Sequence, residues 1–341
     1  MKRILVTGSI AYDILLSYDG SFADAISGTD LEHLSVSFFS PHFARHHGGT
    51  GANIAWNLKL LQQEPLLVGT VGNDGGSYTA LLQERGIDIS RIQVLREHVT
   101  ATAIIGTDDR ERQIAFFHPG ADAHGSWPVL SDDREDIAFA IVSARDASAM
   151  IHAIRYCKDQ KIPYLFDPGQ QVIGLSSDEL LSSLQGSAGV VANSYEWSVL
   201  SEKTGTDKVL EHTGFLAVTH GEEGVTIYER MQKKQRMQTI QMNDSFASSA
   251  SSASSSKEVV HVIPACIPDR VINPTGAGDA LRAGLLAGLS AGWSLRDSGR
   301  LGASIASFVL EQEGTLIDFL DLDDVRNRAE RMYGDKLPEL P

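Results

Sequence analysis

Short runs of apolar residues recur along the chain, and between most of them apolar residues return at the spacing of a helix. Ile4-Leu5-Val6 is the first run and ends at Gly8. Leu66-Leu67-Val68-Gly69-Thr70-Val71-Gly72 is the second; Ile137 to Val142, Tyr164-Leu165-Phe166, Gly189-Val190-Val191-Ala192 and Phe215-Leu216-Ala217-Val218 follow. Runs without polar alternation suit strands buried on both faces. Ile54, Leu58 and Leu61 share one face of a helix over 53–62, and Tyr78 to Arg85 form another helix, closed by Gly86. Buried strands alternating with helices predict an α/β fold with a mainly parallel central sheet covered on both sides.

Two stretches break this rhythm. Residues 14–45 contain no core strand–helix unit. Over 99–118, Thr-Ala-Thr-Ala-Ile-Ile-Gly, a charged turn from Asp108 to Arg112, and Gln-Ile-Ala-Phe-Phe together predict a hairpin. Strands drawn from about 14–45 and 97–120 would form a small separate β-sheet, a lid over a cleft. Residues 244–257 are nearly all Ser and Ala; such a segment buries too little apolar surface to offset ordering entropy and predicts a flexible surface loop.

With 341 residues, 42% of them hydrophobic, the chain supports one large core. Its net charge of −15 repels phosphate backbones and argues against a nucleic-acid partner. No apolar run is long enough to span a bilayer, so no membrane partner is expected. The N-terminus starts like a signal peptide, but Gly8, Ser9 and Asp13 interrupt the apolar stretch, which reads better as a buried strand. Cys157 and Cys266 lie far apart, which excludes a disulfide framework and a paired-cysteine zinc site and fits a cytoplasmic setting. Monomer and homodimer both stay open.

The sharpest chemistry lies in Val271-Ile-Asn-Pro-Thr-Gly-Ala-Gly-Asp-Ala-Leu-Arg-Ala-Gly-Leu-Leu-Ala-Gly-Leu. Gly276, Ala277 and Gly278 open an apolar helix, where small residues let backbone N–H groups and the positive end of the helix dipole meet an anion. Asp279 beside that anion can take a proton from an attacking hydroxyl; the plain alternative is a helix cap. In His47-Gly-Gly-Thr-Gly-Ala-Asn-Ile-Ala-Trp-Asn-Leu, Gly48 and Gly49 permit close ligand approach, and Asn53 offers donor and acceptor to a polyol. Here the plain alternative is an ordinary turn before a helix.

Together these two segments resemble the signature motifs of the PfkB, or ribokinase-like, carbohydrate kinases, in the same order and at a similar separation. The resemblance runs from about residue 3 to about 318, and three shorter elements support it. Asp13 in Gly8-Ser-Ile-Ala-Tyr-Asp13 matches a substrate-binding aspartate; Asn193-Ser-Tyr-Glu196 matches the family's Asn-x-x-Glu, linked to magnesium and phosphate; Thr219-His-Gly221-Glu-Glu-Gly224 matches its nucleotide-side Thr-x-Gly-x-x-Gly. The resemblance implies a ribokinase-like three-layer α/β/α kinase domain over about 1–330, with ATP and Mg²⁺ as cofactors, the ion held by Glu196 through water. Asn273-Pro274 stands where the family has Asp-Thr; that Asp often helps hold a monovalent cation, so potassium activation is in doubt here. There is no GxxxxGK[ST], no linked set of protein-kinase motifs and no GxGxxG after the first strand, which sets aside three other nucleotide folds.

Several strings, among them Leu34-Ser-Val-Ser-Phe38 and Ala115-Phe-Phe-His-Pro-Gly-Ala121, are most similar to bacterial adenosine kinases. The resemblance implies phosphorylation of the adenosine 5′-hydroxyl to AMP, as in purine salvage. Asp13 and Asn53 would hold ribose hydroxyls, and Phe38, Phe116 or Phe117 would face the base unless they only pack the lid. The runner-up acceptor is a sugar or sugar phosphate, with Arg45, Arg110 and Arg112 as candidate phosphate ligands; a reading from another class is a non-catalytic nucleoside-binding protein.

Overall fold

In the computed structural model, residues 2–27, 35–130, 135–230 and 258–341 are described; the Ser-rich stretch 244–257 lies outside them. The strands are β1 Arg3–Thr7, β2 Ala11–Ser17, β3 Phe43–Gly48, β4 Pro65–Gly72, β5 Asp88–Leu95, β6 Ala101–Thr107, β7 Gln113–His118, β8 Ile137–Val142, β9 Tyr164–Phe166, β10 Gly189–Asn193, β11 Phe215–Thr219, β12 Val225–Arg230 and β13 Glu258–Ile263. Nine of them form one sheet in the order β13-β12-β11-β10-β9-β8-β1-β4-β5. From β11 to β5 every pairing is parallel; β12 and β13 add an antiparallel edge.

The apolar runs have a simple physical origin. Ile4 and Val6 of β1 pack into one core with the helices Thr50–Leu60, Ala277–Ser290 and Leu295–Val309. Leu5, between them, points to the opposite core, under the helices Ala147–Asp159, Ser177–Leu184 and Ser194–Thr204. With helices on both faces, neither face of a central strand meets water, so the polar half of a period-2 pattern disappears.

The second sheet has four strands in the order β3-β2-β6-β7. β2 pairs antiparallel with β3 and parallel with β6, and β6 and β7 form the hairpin that the alternation over 99–118 predicts. Asp13 comes six residues after β1, as the third residue of β2 in the small sheet. The chain crosses from one sheet to the other in Gly8-Ser9-Ile10, too short a link for a loop, so the small sheet starts before residue 14.

A compact set of contacts fastens the two sheets. Asp74, just past β4, accepts hydrogen bonds from Thr100 N at 2.8 Å and Thr100 Oγ1 at 2.7 Å, and its carbonyl accepts from Tyr12 Oη at 3.0 Å. Arg45 of β3 lies 3.3 Å from Asp74 and over the Tyr12 ring. Burial works against the Asp74 charge, but the Thr100 bonds and Arg45 outweigh it and hold the carboxyl below its usual range.

Candidate active site

Two helices start at the cleft between the sheets, and their first turns differ in one respect that decides what each can bind. The helix Thr50–Leu60 is capped from outside: Thr50 N donates to Ser9 Oγ at 3.1 Å, and Gly51 N donates to Ser9 O at 3.0 Å. Its amides are already used. Gly49 precedes it at φ 92°, and a side chain there would strike Ala11 N and Ser9 O at 2.6 Å. Gly48, the last residue of β3, leaves room for the Asp13 carboxylate; a Cβ would collide with it.

The helix Ala277–Ser290 opens differently. Gly276 caps it in the left-handed region at φ 86°, with no side-chain cap. Ala277 N reaches Pro274 O only at 3.5 Å, and the Gly276 and Gly278 amides have no acceptor among the described residues. Unused first-turn N–H groups beside the positive helix end form a seat for an anion.

Asp279 is the third residue of that helix. Its Oδ2 accepts a hydrogen bond from Asn53 Nδ2 at 2.8 Å, while Asn53 Oδ1 accepts from Thr315 Oγ1 at 2.9 Å. Asn53 is 3% exposed and, with one donor and its acceptor occupied, orients Asp279. Desolvation by burial raises the Asp279 carboxyl to about 6, against the opposing pull of Arg282 and the Asn53 hydrogen bond; Asp167 and Asp13 add to the rise. A carboxylate near 6 is a better base than a free one and is still ionised at neutral pH. Asp13 is also raised, first by burial, with His46 opposing, and it has no hydrogen-bond partner among the described residues.

The remaining expected residues lie at the carboxyl ends of neighbouring parallel strands, the usual ligand edge of such sheets. Asn193 and Glu196 form a reciprocal capping box: Asn193 Oδ1 accepts from Glu196 N and Glu196 Oε2 from Asn193 N, both at 2.8 Å. Glu196 Oε1 has no hydrogen-bond partner among the described residues, and burial raises the carboxyl, with Asp167 adding to that and the Asn193 bond and Arg282 opposing it. Thr219 ends β11 beside this cap, its carbonyl accepting from Ser194 Oγ at 3.2 Å. Gly221 and Gly224 both take positive φ, 61° and 104°, and Gly224 packs against the backbone of Ile263 to Ala265.

The aromatic expectations divide. The strand register puts Phe117 opposite Ala103, itself opposite Asp13, so Phe117 shares the Asp13 face; Phe116, paired with Ile104, lies on the other. Both are exposed, 54% and 69%, because β7 is the edge strand. Phe38 packs edge-on against Tyr18 and Phe22 at 5.0 and 4.9 Å, which is the lid packing weighed against a base contact. The three arginines offered for a sugar phosphate are engaged elsewhere. Arg112 pairs with Asp108 at 2.6 Å and bonds Ser21, Arg110 faces Asp24, and Arg45 lies on the face away from Asp13.

Three site residues escaped the sequence reading. Arg282, one turn along from Asp279, is the single charge inside Ala280–Leu289, and that isolation is a readable signal. Asp167, directly after β9, receives Arg282 Nη2 at 2.7 Å and Ser143 Oγ at 2.5 Å. Thr315 lies against Gly276 and bonds both Asn53 and the His47 carbonyl; nothing in its local sequence marks it.

An anion seat with a poised carboxylate, set in a cleft at the carboxyl edge of a parallel sheet, defines a phosphotransferase of the ribokinase-like fold. The chain belongs to the pfkB family of carbohydrate kinases, whose family model matches residues 1–321, and it is an ATP-dependent kinase. It is 27% identical over 349 residues to the nucleoside kinase of Methanothermobacter thermautotrophicus, covering 99% of this chain and 98% of that protein. The structure of Burkholderia thailandensis nucleoside kinase in complex with inosine matches with TM-score 0.79 at 28% identity, covering 98% of this chain and 99% of that one. Methanocaldococcus jannaschii nucleoside kinase matches with TM-score 0.78 at 26% identity, covering 97% and 99%.

Proposed function

We propose that the protein transfers the γ-phosphoryl group of ATP to the 5′-hydroxyl of a nucleoside, with adenosine the first candidate and AMP the product. One observation carries this reading: the acceptor side of the cleft offers a carboxylate with no partner among the described residues, Asp13, and an aromatic ring, Phe117, on one sheet face, while Arg45, Arg110 and Arg112 are all engaged away from it. A ribose supplies hydroxyl donors for Asp13, and a base supplies a flat apolar face for Phe117. A sugar phosphate would bring two negative charges to a site lined by carboxylates. The nucleoside kinase names of the relatives agree with this choice.

In the reaction, Asp279 accepts the proton of the 5′-hydroxyl as that oxygen bonds to the γ-phosphorus and the bond to the β-phosphate oxygen breaks, releasing ADP. Asn53 holds the carboxylate in line, and the amides of Gly276 to Gly278 receive the charge on the transferring group. The nucleotide lies toward Asn193, Thr219, Gly221 and Gly224. Glu196, half of whose carboxylate is taken by Asn193 N, would hold Mg²⁺ through water, with the nucleotide phosphates supplying the rest of the oxygens such an ion prefers. Its chemistry there would be neutralisation of phosphate charge. The small sheet closes over the acceptor and excludes water.

The test is ADP release with adenosine, inosine, guanosine, cytidine, ribose and fructose 6-phosphate, with the phosphorylated product identified. Turnover of a nucleoside far above both sugars is expected. Turnover of fructose 6-phosphate alone sinks the nucleoside reading and leaves the roles of Asp279 and its glycine turn intact.

A further inference from the structure

The catalytic turn carries a guanidinium that none of the recognised motifs contains. Arg282 is 8% exposed, yet it is not a salt-bridged core residue in the ordinary sense, because only one edge of its fork is used. Nη2 donates to Asp167 Oδ1 at 2.7 Å, and Nε lies 2.7 Å from Asp167 Oδ2 without an aligned hydrogen bond. Nη1 has no partner among the described residues. It lies under the anion turn, 2.9 Å from where a Cβ on Gly278 would stand. A methyl group at position 278 would meet the guanidinium and push its Nη1 end aside.

The charges around this point make the arrangement necessary. Asp279, Asp167 and Glu196 all bear on Arg282, and Asp13 bears on Asp279. A γ-phosphate carrying further negative charge must come to rest among these four carboxylates. The turn amides alone are neutral donors. A cation with an open donor beneath the turn offsets the repulsion without crossing the cleft, and its planar fork can bond Asp167 with one edge and a phosphoryl oxygen with the other.

Resting on the kinase reaction above, we infer that Arg282 is a catalytic residue whose Nη1 donates to the phosphoryl group in transfer, and that Asp167, held by Ser143, is the positioning residue that fixes its orientation. The interaction strengthens as charge spreads over the equatorial oxygens, the role arginines play in other phosphoryl transferases.

The experiment compares the wild type with Arg282→Met and with the double variant Asp167→Asn/Arg282→Met, which replaces the buried ion pair by neutral groups and so keeps a folded protein if the single variant fails to fold. Circular dichroism and melting check the fold. kcat with the best acceptor should fall about 10²–10³-fold, as for loss of one transition-state donor, with acceptor KM within about twofold. Binding of ADP with aluminium fluoride and acceptor, a mimic of the transferring group, should weaken at least about tenfold more than binding of ADP alone. A folded double variant with kcat close to wild type overturns the assignment. Equal weakening of ADP and of the fluoride complex also overturns it, since a scaffold defect would lower both together. If the wild type accepts a sugar and no nucleoside, the same comparison is run with that sugar, so Arg282 is judged apart from the acceptor.

Discussion

The Asp279 carboxylate combines two demands that conflict. Its raised value near 6, against an ordinary 3.8, means the folded protein holds a proton that the unfolded chain would release. The stability Asp279 gains by being protonated is present below about pH 4 and is lost as pH rises through 6; at neutral pH its burial costs about 3 kcal/mol at most, from 1.36 kcal/mol per pKa unit. Turnover runs the other way and should fall as pH drops through about 6 and the base is protonated. Asp279→Asn should accordingly lose ~10²–10⁴-fold in kcat while melting higher than wild type at pH 7.5, the gap closing toward pH 5. Melting curves beside a pH–rate profile check both limbs. Near-normal turnover in the folded variant rules out the base assignment, and a melting point that drops at pH 7.5 rules out the account of its burial.

At the scale of elements, the edge strand β7 divides two neighbouring aromatics between opposite faces. Phe117→Ala should raise the nucleoside KM about 5- to 150-fold, taking base stacking as ~1–3 kcal/mol, and Phe116→Ala should leave it within about twofold. The reverse pattern would place the acceptor on the wrong face of the small sheet. The same strand shows what a sequence yields. Its alternation and the charged turn before it were readable because a half-exposed hairpin keeps a period of two. The start of β2 was not readable, since Ala11-Tyr12 are as buried as the main-sheet strand before them and the change of sheet leaves no polar mark. The glycine turn and Asp279 were readable because the backbone geometry there demands small residues in a row. Thr315 was not, because its role comes from folding and not from its neighbours in the chain.

For the molecule as a whole, two sheets must hold one acceptor between them. Asp74 ties them together without facing the cleft, through Thr100, Tyr12 and Arg45. Asp74→Ala should raise acceptor KM several-fold with kcat nearly unchanged, since the chemistry stays on the main sheet while Asp13 and Phe117 lose their registration. A fall in kcat with unaltered KM would show that the fastening serves the catalytic helix instead. Saturating acceptor at about 100 times its Kd should add ~2.7 kcal/mol of stability to wild type, readable as a rise in melting temperature. The hydrogen bond from Thr315 to Asn53 has a consequence for biosynthesis. It joins residues 262 positions apart, so the nascent chain carries Asn53 long before its partner exists. At ~5–20 residues per second, the ribosome takes on the order of 13–50 s to supply Thr315. Throughout that interval the nascent chain carries an Asn53 amide with nothing to brace it and no Asp279 to aim, so on the mechanism proposed above it gains activity only after residue 315 has been added.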